Sequence, residues 1–254
     1  MPELLEVESF AALVRETLGA RVVEVTADQK LCGAAPRCAV LGQVVVGVRR
    51  VGKWLCIDFE DLTVGFHAAM TGALHLDGRS ALEHLAYSPT GFAPRFVRLS
   101  ARLDDGRVLT ITDPRRFARL VIEPDLSSLG PDALTLTGSE LTAALASAPR
   151  AALKAVLLDQ RCIAGLGNLL VDDACFRAAL DPARPAGSLD RTERQRLGRA
   201  IRSTLAILGR RGGSHTGDLQ PERHRAGRCP RCGAALRRST IGGRTTYACP
   251  VEQR

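Results

Sequence analysis

Leu129-Gly130-Pro131 is where the chain changes its periodicity. Upstream, short apolar or alternating segments are set apart by turn residues: Arg21–Thr26, Gln43–Val48, Lys53–Phe59, Leu62–His67, Phe96–Leu103, Val108–Ile111 and Leu120–Ile122, with Asp104-Asp105-Gly106 as one of the breaks. Short strands so spaced predict an antiparallel sandwich or barrel. Ahead of them Val7, Phe10, Val14 and Leu18 recur at helical spacing, and Gly19 follows as a stop. Downstream of Pro131 the period is helical, at about 138–148, 150–159, 168–178 and 190–208. The last of these opens on Asp190 and Glu193 in capping-box spacing, offers Leu197, Ile201, Leu205 and Leu208 for burial, and is expected to end at Gly209. A polar, glycine-rich linker runs from Gly212 to Gly227, and the stretch from Arg228 to Arg254 is too short for an apolar core of its own. The fold class read from this order is α+β: an N-terminal helix with an antiparallel β-sandwich, then a helical domain, then a small C-terminal ribbon. The expected domains are 1–128, 129–222 and 223–254.

Composition narrows the function. Lys and Arg outnumber Asp and Glu by 35 to 27, a net charge of +8, which favours a polyanionic partner such as nucleic acid but also suits a plain solubilising surface. No apolar run approaches a membrane span and no signal segment opens the chain, so the eight cysteines are expected in a reducing compartment, unpaired. Cys32, Cys38, Cys56, Cys162 and Cys175 are scattered among apolar neighbours and read as small core residues.

Cys229-Pro-Arg-Cys232-Gly is different. It is a C-x2-C knuckle, matched downstream by Cys249-Pro-Val-Glu252. Two knuckles around a hairpin describe a zinc ribbon, with Glu252 where a fourth cysteine ordinarily stands. Carboxylate oxygen can bind zinc; His224 or water is the other candidate ligand, and a metal-free hairpin the remaining one. Between the knuckles, Arg237, Arg238 and Arg244 flank a Gly242-Gly243 turn, a basic tip suited to phosphate or to plain solvation.

Three further segments carry candidate chemistry, each with an ordinary structural reading beside it. Ile163-Ala-Gly-Leu-Gly-Asn168 joins two helices; its glycines let a phosphate approach backbone N–H groups, and Asn168 can cap the next helix. Thr112-Asp-Pro-Arg115-Arg116-Phe117 puts cations beside an aromatic ring at a turn, which suits insertion into a base stack. Met1-Pro2-Glu3-Leu4-Leu5-Glu6 is a good helix start. Removal of Met1 would expose the Pro2 secondary amine, with an ordinary α-amino pKa of about 7.7–8.0, able to form an iminium with a sugar C1′ while Glu3 supplies a proton.

Taken in order, Pro2-Glu3, the sandwich, Gly52-Lys53, His67 with Met70, Asp113–Phe117, the Gly-Leu-Gly-Asn joint and the terminal ribbon resemble the Fpg/Nei family, the formamidopyrimidine-DNA glycosylases and endonucleases VIII. The resemblance spans the chain. It implies a helix–two-turn–helix middle domain and a bifunctional DNA glycosylase and abasic-site lyase of base excision repair. Pro2 would be the nucleophile, Glu3 the general acid, Glu6 a second acid near the amine, and Lys53 a phosphate ligand beside the lesion. His67, Asn168 and Arg244 would hold DNA backbone; Met70, Arg115 and Phe117 would fill the gap left by a flipped base. The implied partner is double-stranded DNA with a damaged base or abasic site, the implied cofactor one structural zinc on Cys229, Cys232, Cys249 and Glu252, and the implied setting a bacterial cytoplasmic monomer at the nucleoid. Departures are Leu5 for proline, His67-Ala-Ala-Met70-Thr-Gly72 for the usual His-Leu-Gly-Met-Ser-Gly, Leu170 for tyrosine, and a short stretch between Gly213 and Cys229, which favours an endonuclease VIII-like or atypical choice of lesion over 8-oxoguanine. A non-catalytic damaged-DNA-binding relative is the alternative function; a zinc-ribbon adaptor without a reaction is a third.

Overall fold

The computed structural model describes residues 2–28, 31, 39–82 and 92–254, so Cys32 and Cys38 lie outside the described residues. The chain divides into two compact units, residues 1–126 and 127–254.

The first unit opens with α1 (Leu4–Arg15). Its start is fixed by Glu6, whose carboxylate accepts the Glu3 backbone N–H at 2.8 Å. Val7, Phe10, Ala11 and Val14 are fully buried along one side. Leu18, expected on that face, is instead 47 % exposed: the helix ends at Arg15, and Gly19, at φ 81°, turns the chain so that its N–H bonds Val45 O at 2.8 Å. Among the described residues nine strands follow: β1 (Val22–Ala27), β2 (Val45–Val51), β3 (Trp54–Phe59), β4 (Thr63–His67), β5 (Ala73–Leu76), β6 (Arg79–Ser80), β7 (Val97–Leu103), β8 (Val108–Thr112) and β9 (Arg119–Ile122). They form two antiparallel sheets, ordered β1-β7-β8-β5-β6 and β2-β3-β4-β9. One apolar core joins α1 to both sheets through Phe10, Leu55, Phe66, Leu74 and Ile111. β5 and β6 are the strands the sequence did not announce. All of Ala73-Leu74-His75-Leu76 is buried, so the period-two alternation that marks a half-exposed strand is missing.

The second unit holds α2 (Gly138–Ser147), α3 (Leu153–Leu158), α4 (Asn168–Arg177), α5 (Arg191–Arg210) and the hairpin β10 (Arg237–Ile241) with β11 (Arg244–Ala248). Gly130 explains the junction before it. A Cβ there would stand 2.5 Å from Arg161 O, because the segment lies flat on the α3–α4 loop: Gly130 N bonds Gln160 O, and Ala164 N bonds Pro131 O. The Asp190–Glu193 capping box is present, and Leu197, Ile201, Leu205 and Leu208 are buried as expected. Gly209 does not stop α5, however. The helix runs to Arg210 and is closed by the next glycines, Gly213 N returning to Leu208 O at 2.8 Å. Among the described residues no helix is long and apolar enough to cross a membrane.

Candidate functional site

Pro2 is buried and directly precedes Glu3, the N-cap of α1. Glu3 and Glu6 are 1 % and 2 % exposed, so two carboxyl groups lie buried within one helical turn of the proline nitrogen. The unpaired N–H groups and dipole of a helix start favour negative charge there. Glu8, two residues further on, is paired with Arg50 Nε at 3.0 Å, and Arg50 also donates to Gly52 O at 2.8 Å. That arginine therefore ties α1 to the tip of the β2–β3 hairpin, where Lys53 stands.

The tip is a two-residue turn, Gly52-Lys53, between the paired residues Val51 and Trp54. Gly52 has φ 58°, as the first residue of such a hairpin turn requires. Beside it runs a row across the sheet, Trp54 against His67 and His67 against Arg119. The Trp54 and His67 rings are 5.0 Å apart. Burial lowers the His67 pKa to about 4, with the charges of Arg119 and Lys53 acting in the same direction. Its Nδ1 accepts the Ala69 N–H at 3.2 Å, which leaves the proton on Nε2. His67 is thus a neutral N–H donor, standing among cations rather than adding one.

Met70 and the pair Arg115–Phe117 are far apart in sequence, and one carboxylate brings their loops together. Asp113 is fully buried. It accepts the backbone N–H groups of Arg115 at 3.1 Å, Phe117 at 2.7 Å and Ala118 at 2.7 Å, and the hydroxyl of Thr71 beside Met70. With the loop so held, Phe117 projects into solvent, 48 % exposed, under the Arg115 guanidinium at 4.8 Å from the ring centre. Arg116 turns away, at φ 58°, to pair with Asp28 at 2.7 Å. A sequence reading sees Asp113 only as part of a turn; the sign that it organises the loop is an acid at the end of a strand with several N–H groups just downstream.

In the second unit Asn168 does not cap α4. Gly167 is the N-cap, and Asn168 is the first helical residue, its side-chain Oδ1 buried without a partner. The loop before it is stapled by Gln160, which donates to Leu158 O and Leu166 O and accepts from Gly165 N. One turn along the same face of α4, Asp172 accepts Lys154 Nζ at 2.6 Å and also pairs with Arg223. Both cations donate to Thr245 O, at 3.2 and 3.3 Å, and Arg223 lies over the Tyr247 ring. Burial pulls the Lys154 amine below its ordinary value while Asp172 opposes that shift. This buried cluster anchors β11, and so the adjoining exposed Arg244, to the helix that begins at Asn168. Lys154, Asp172 and Arg223 were not among the sequence candidates. The available signal was a lysine and an aspartate inside apolar helical runs, which must find each other when buried. Arg237, by contrast, is taken up by Asp181 at 2.6 and 2.7 Å.

At the base of the hairpin the Sγ atoms of Cys229, Cys232 and Cys249 lie within 4.8 Å of one another. Arg231 N–H points to Cys229 Sγ and Glu252 N–H to Cys249 Sγ, both at 3.4 Å. N–H groups aimed at sulfur stabilise thiolate, the form that binds metal. Glu252 meets the cluster through that backbone N–H: among the described residues the group of nearby ligand atoms holds three thiols and no carboxylate. Cys56 and Cys175 are fully buried, as small core residues, and Cys162 is partly buried.

Residues 1–120 match the family model of the formamidopyrimidine-DNA glycosylase N-terminal domain, and residues 129–217 that of the formamidopyrimidine-DNA glycosylase H2TH domain. The formamidopyrimidine-DNA glycosylase of Geotalea uraniireducens is 34 % identical, with 98 % of each chain covered. The crystal structure of the MutM (Fpg) protein from Thermus thermophilus superposes with a TM-score of 0.81 at 32 % identity, covering 99 % of this chain and 98 % of that one. The Lactococcus lactis Fpg (MutM), solved with DNA containing N7-benzyl-Fapy-dG, has the same fold at a TM-score of 0.82 and 23 % identity, over the full length of both chains.

Proposed function

Because this chain belongs to the formamidopyrimidine-DNA glycosylase (Fpg/Nei) family of DNA glycosylases, we propose that it excises damaged bases from double-stranded DNA and then cuts the abasic strand, with Pro2 as its nucleophile. The observation that carries this reading is Pro2 buried at the head of α1, with the buried carboxyl groups of Glu3 and Glu6 in the helical turn that follows.

With Met1 removed, the neutral Pro2 amine attacks C1′ of the damaged nucleotide. The N-glycosidic bond breaks, and the base leaves with the electron pair and the proton from the amine. Glu3 gives a proton to the sugar ring oxygen, the C1′–O4′ bond opens, and an iminium joins Pro2 to C1′. Loss of a C2′ proton then breaks the C3′–O bond and expels the phosphate, and water finally releases Pro2. Glu6 holds the Glu3 backbone N–H, which orients the whole N-terminal turn. Lys53 and His67 in the first unit, and Asn168 and Arg244 in the second, are assigned to DNA phosphates; His67 serves as a neutral donor. Met70, Arg115 and Phe117 are assigned to the space left by the flipped base, where filling the stack offsets the cost of extrusion.

The three-thiol cluster suits one structural zinc, held by Cys229, Cys232 and Cys249 with Glu252 as fourth ligand after a side-chain rotation. Zinc there would brace the hairpin that carries Arg244 and takes no part in the reaction. The second unit would then comprise a helix–two-turn–helix domain, 129–222, and a ribbon, 223–254, working on DNA as a monomer in the bacterial cytoplasm.

The test is reduction in the presence of abasic-site DNA. Borohydride delivers hydride to the iminium carbon and makes the link permanent. The expected adduct maps to a peptide beginning at Pro2. An adduct through an internal lysine, or none from protein lacking Met1, would overturn the assignment.

A further inference from the structure

Within the second unit, α2 and α5 leave between them an open cleft of about 540 Å³. Arg191, Arg194, Arg199 and Arg202 line it. They belong to a run, residues 191–202, with five arginines and one glutamate. The nearby acids are already engaged. Glu193 is bound by Arg184 at 2.6 Å, Asp190 accepts the Glu193 N–H, and Glu140 closes the capping box with Thr137. Among the described residues no carboxylate pairs with any of the four lining arginines; Arg194 Nε reaches only a carbonyl, Asp190 O, at 3.2 Å. Four guanidinium groups thus share a concave surface with no carboxylate among its lining residues, and their mutual repulsion makes the cleft attractive to anions.

The floor keeps that surface accessible. Gly198 faces the cleft, and a Cβ there would stand 3.3 Å from Leu141 Cδ2 and 3.6 Å from Arg202 Nη1, so a larger residue would crowd both α2 and an arginine. Gly138 and Arg191, the first residues of α2 and α5, both line the cleft. The remaining lining residues, Thr142 and Gln195, are polar. No aromatic or large aliphatic side chain is present to anchor a peptide, and peptide-binding surfaces draw most of their affinity from such anchors. Arginine forks without apolar anchors suit phosphate oxygens.

We propose that this cleft is a second DNA-backbone site, binding phosphodiesters of a DNA segment away from the lesion. It is distinct from the α3–α4 loop. Ser147, the last residue of α2, reaches that loop at Cys162 (3.6 Å), whereas Gly138 lies roughly 14 Å back along the helix axis. The proposal goes beyond the reaction described above and does not depend on it: a site reading only phosphate would raise general affinity for DNA and keep the protein on it between lesions.

The experiment measures affinity for an undamaged duplex of about 30 base pairs across a salt series, with the full chain and the variant Arg191→Gln/Arg199→Gln/Arg202→Gln. Each lost phosphate contact removes roughly 0.9 from the slope of log K against log salt, so the triple variant is expected to lose about 2–3 and to bind at least tenfold more weakly near 0.1 M salt. The Arg→Lys triple should keep most of the slope. If the triple variant does not fold, Arg199→Gln and Arg202→Gln singly should each lower the slope by about one. Single-turnover cleavage of a short abasic duplex at saturating protein should be unchanged, which separates this site from the chemistry at Pro2. An unchanged slope overturns the proposal. So does a variant that keeps its DNA slope but loses binding to a polyglutamate peptide, which would make the cleft a site for an acidic protein segment.

Discussion

Asp113 and Phe117 divide between them the two tasks of one loop. Asp113 is fully buried and faces inward to three N–H groups and a hydroxyl. Phe117 is half exposed, with its ring under the Arg115 guanidinium. Asp113→Ala leaves several donors without an acceptor and should cost at least about 3 kcal/mol of stability, read as a fall in midpoint on denaturant unfolding. Phe117→Ala removes a surface ring and should change that midpoint little. Its effect falls on base excision, which should drop more than cleavage of a preformed abasic site, where less unstacking is needed. Equal losses on the two substrates would reject the wedge role. Both residues are visible in the sequence, yet only Phe117 looks functional there: an aromatic beside arginines is a chemical signal, whereas the value of Asp113 depends on where the N–H groups of residues 115, 117 and 118 point.

Among the elements, the β-hairpins follow the sequence closely because their turns are encoded locally. Gly242-Gly243 closes a hairpin at the position its composition announces; Gly52-Lys53 closes another, with Lys53 in the turn and not at the head of the strand expected over residues 53–59. The exceptions arise from partners distant in the chain. Buried β5 lacks alternation because neither of its faces meets water, and α5 runs through Gly209 because Leu205 and Leu208 still have a core to enter. The β3-β4-β9 row has a consequence for pH that no local signal gives. With its pKa lowered to about 4 by burial, folded His67 is neutral where the unfolded residue, near 6.5, takes a proton. Between pH 6.5 and 4 the unfolded chain therefore binds more protons than the folded one at this site. Stability from His67 is full above about pH 6.5 and falls as pH drops towards 4, by at most about 1.4 kcal/mol per pH unit. His67→Gln should flatten the stability profile in that window relative to the unaltered chain. DNA affinity of the unaltered chain should show no gain from His67 protonation between pH 8 and 5.5; a gain abolished by His67→Gln would mean that the ring binds phosphate as a cation.

At the scale of the whole molecule, the order of parts is legible but the means of joining them is not. The change of period at Leu129-Gly130-Pro131 falls close to the boundary between the two compact units, after Leu126. Nothing in the sequence says that the terminal hairpin is fastened to the helices through Lys154, Asp172 and Arg223, since those residues are 18 and 51 positions apart along the chain. That fastening bears on the metal. The hairpin is held at its far end by the buried ion cluster on Thr245 and Tyr247, and at its base Cys229 and Cys249 pack with Phe176 and Leu219 beside Cys232. If zinc joins the three thiols, a ribbon with so little apolar core should draw on both the ion cluster and the metal. Purified protein is expected to carry one zinc per chain by elemental analysis, and Glu252→Ala to bind it more weakly. Glu252→Cys should tighten it, since thiolate is the commoner closing ligand of structural zinc. Chelation should loosen the base while Lys154 and Arg223 keep the tip attached. The expected result is accelerated amide exchange near Cys232 and Cys249, slower change at Thr245 and Tyr247, and weakened DNA binding without unfolding of α2–α5. Zinc-free protein that binds DNA fully would show that the ion cluster alone presents Arg244. Zinc retained undiminished in Glu252→Ala would remove Glu252 from the ligand set and leave the fourth position to His224 or water.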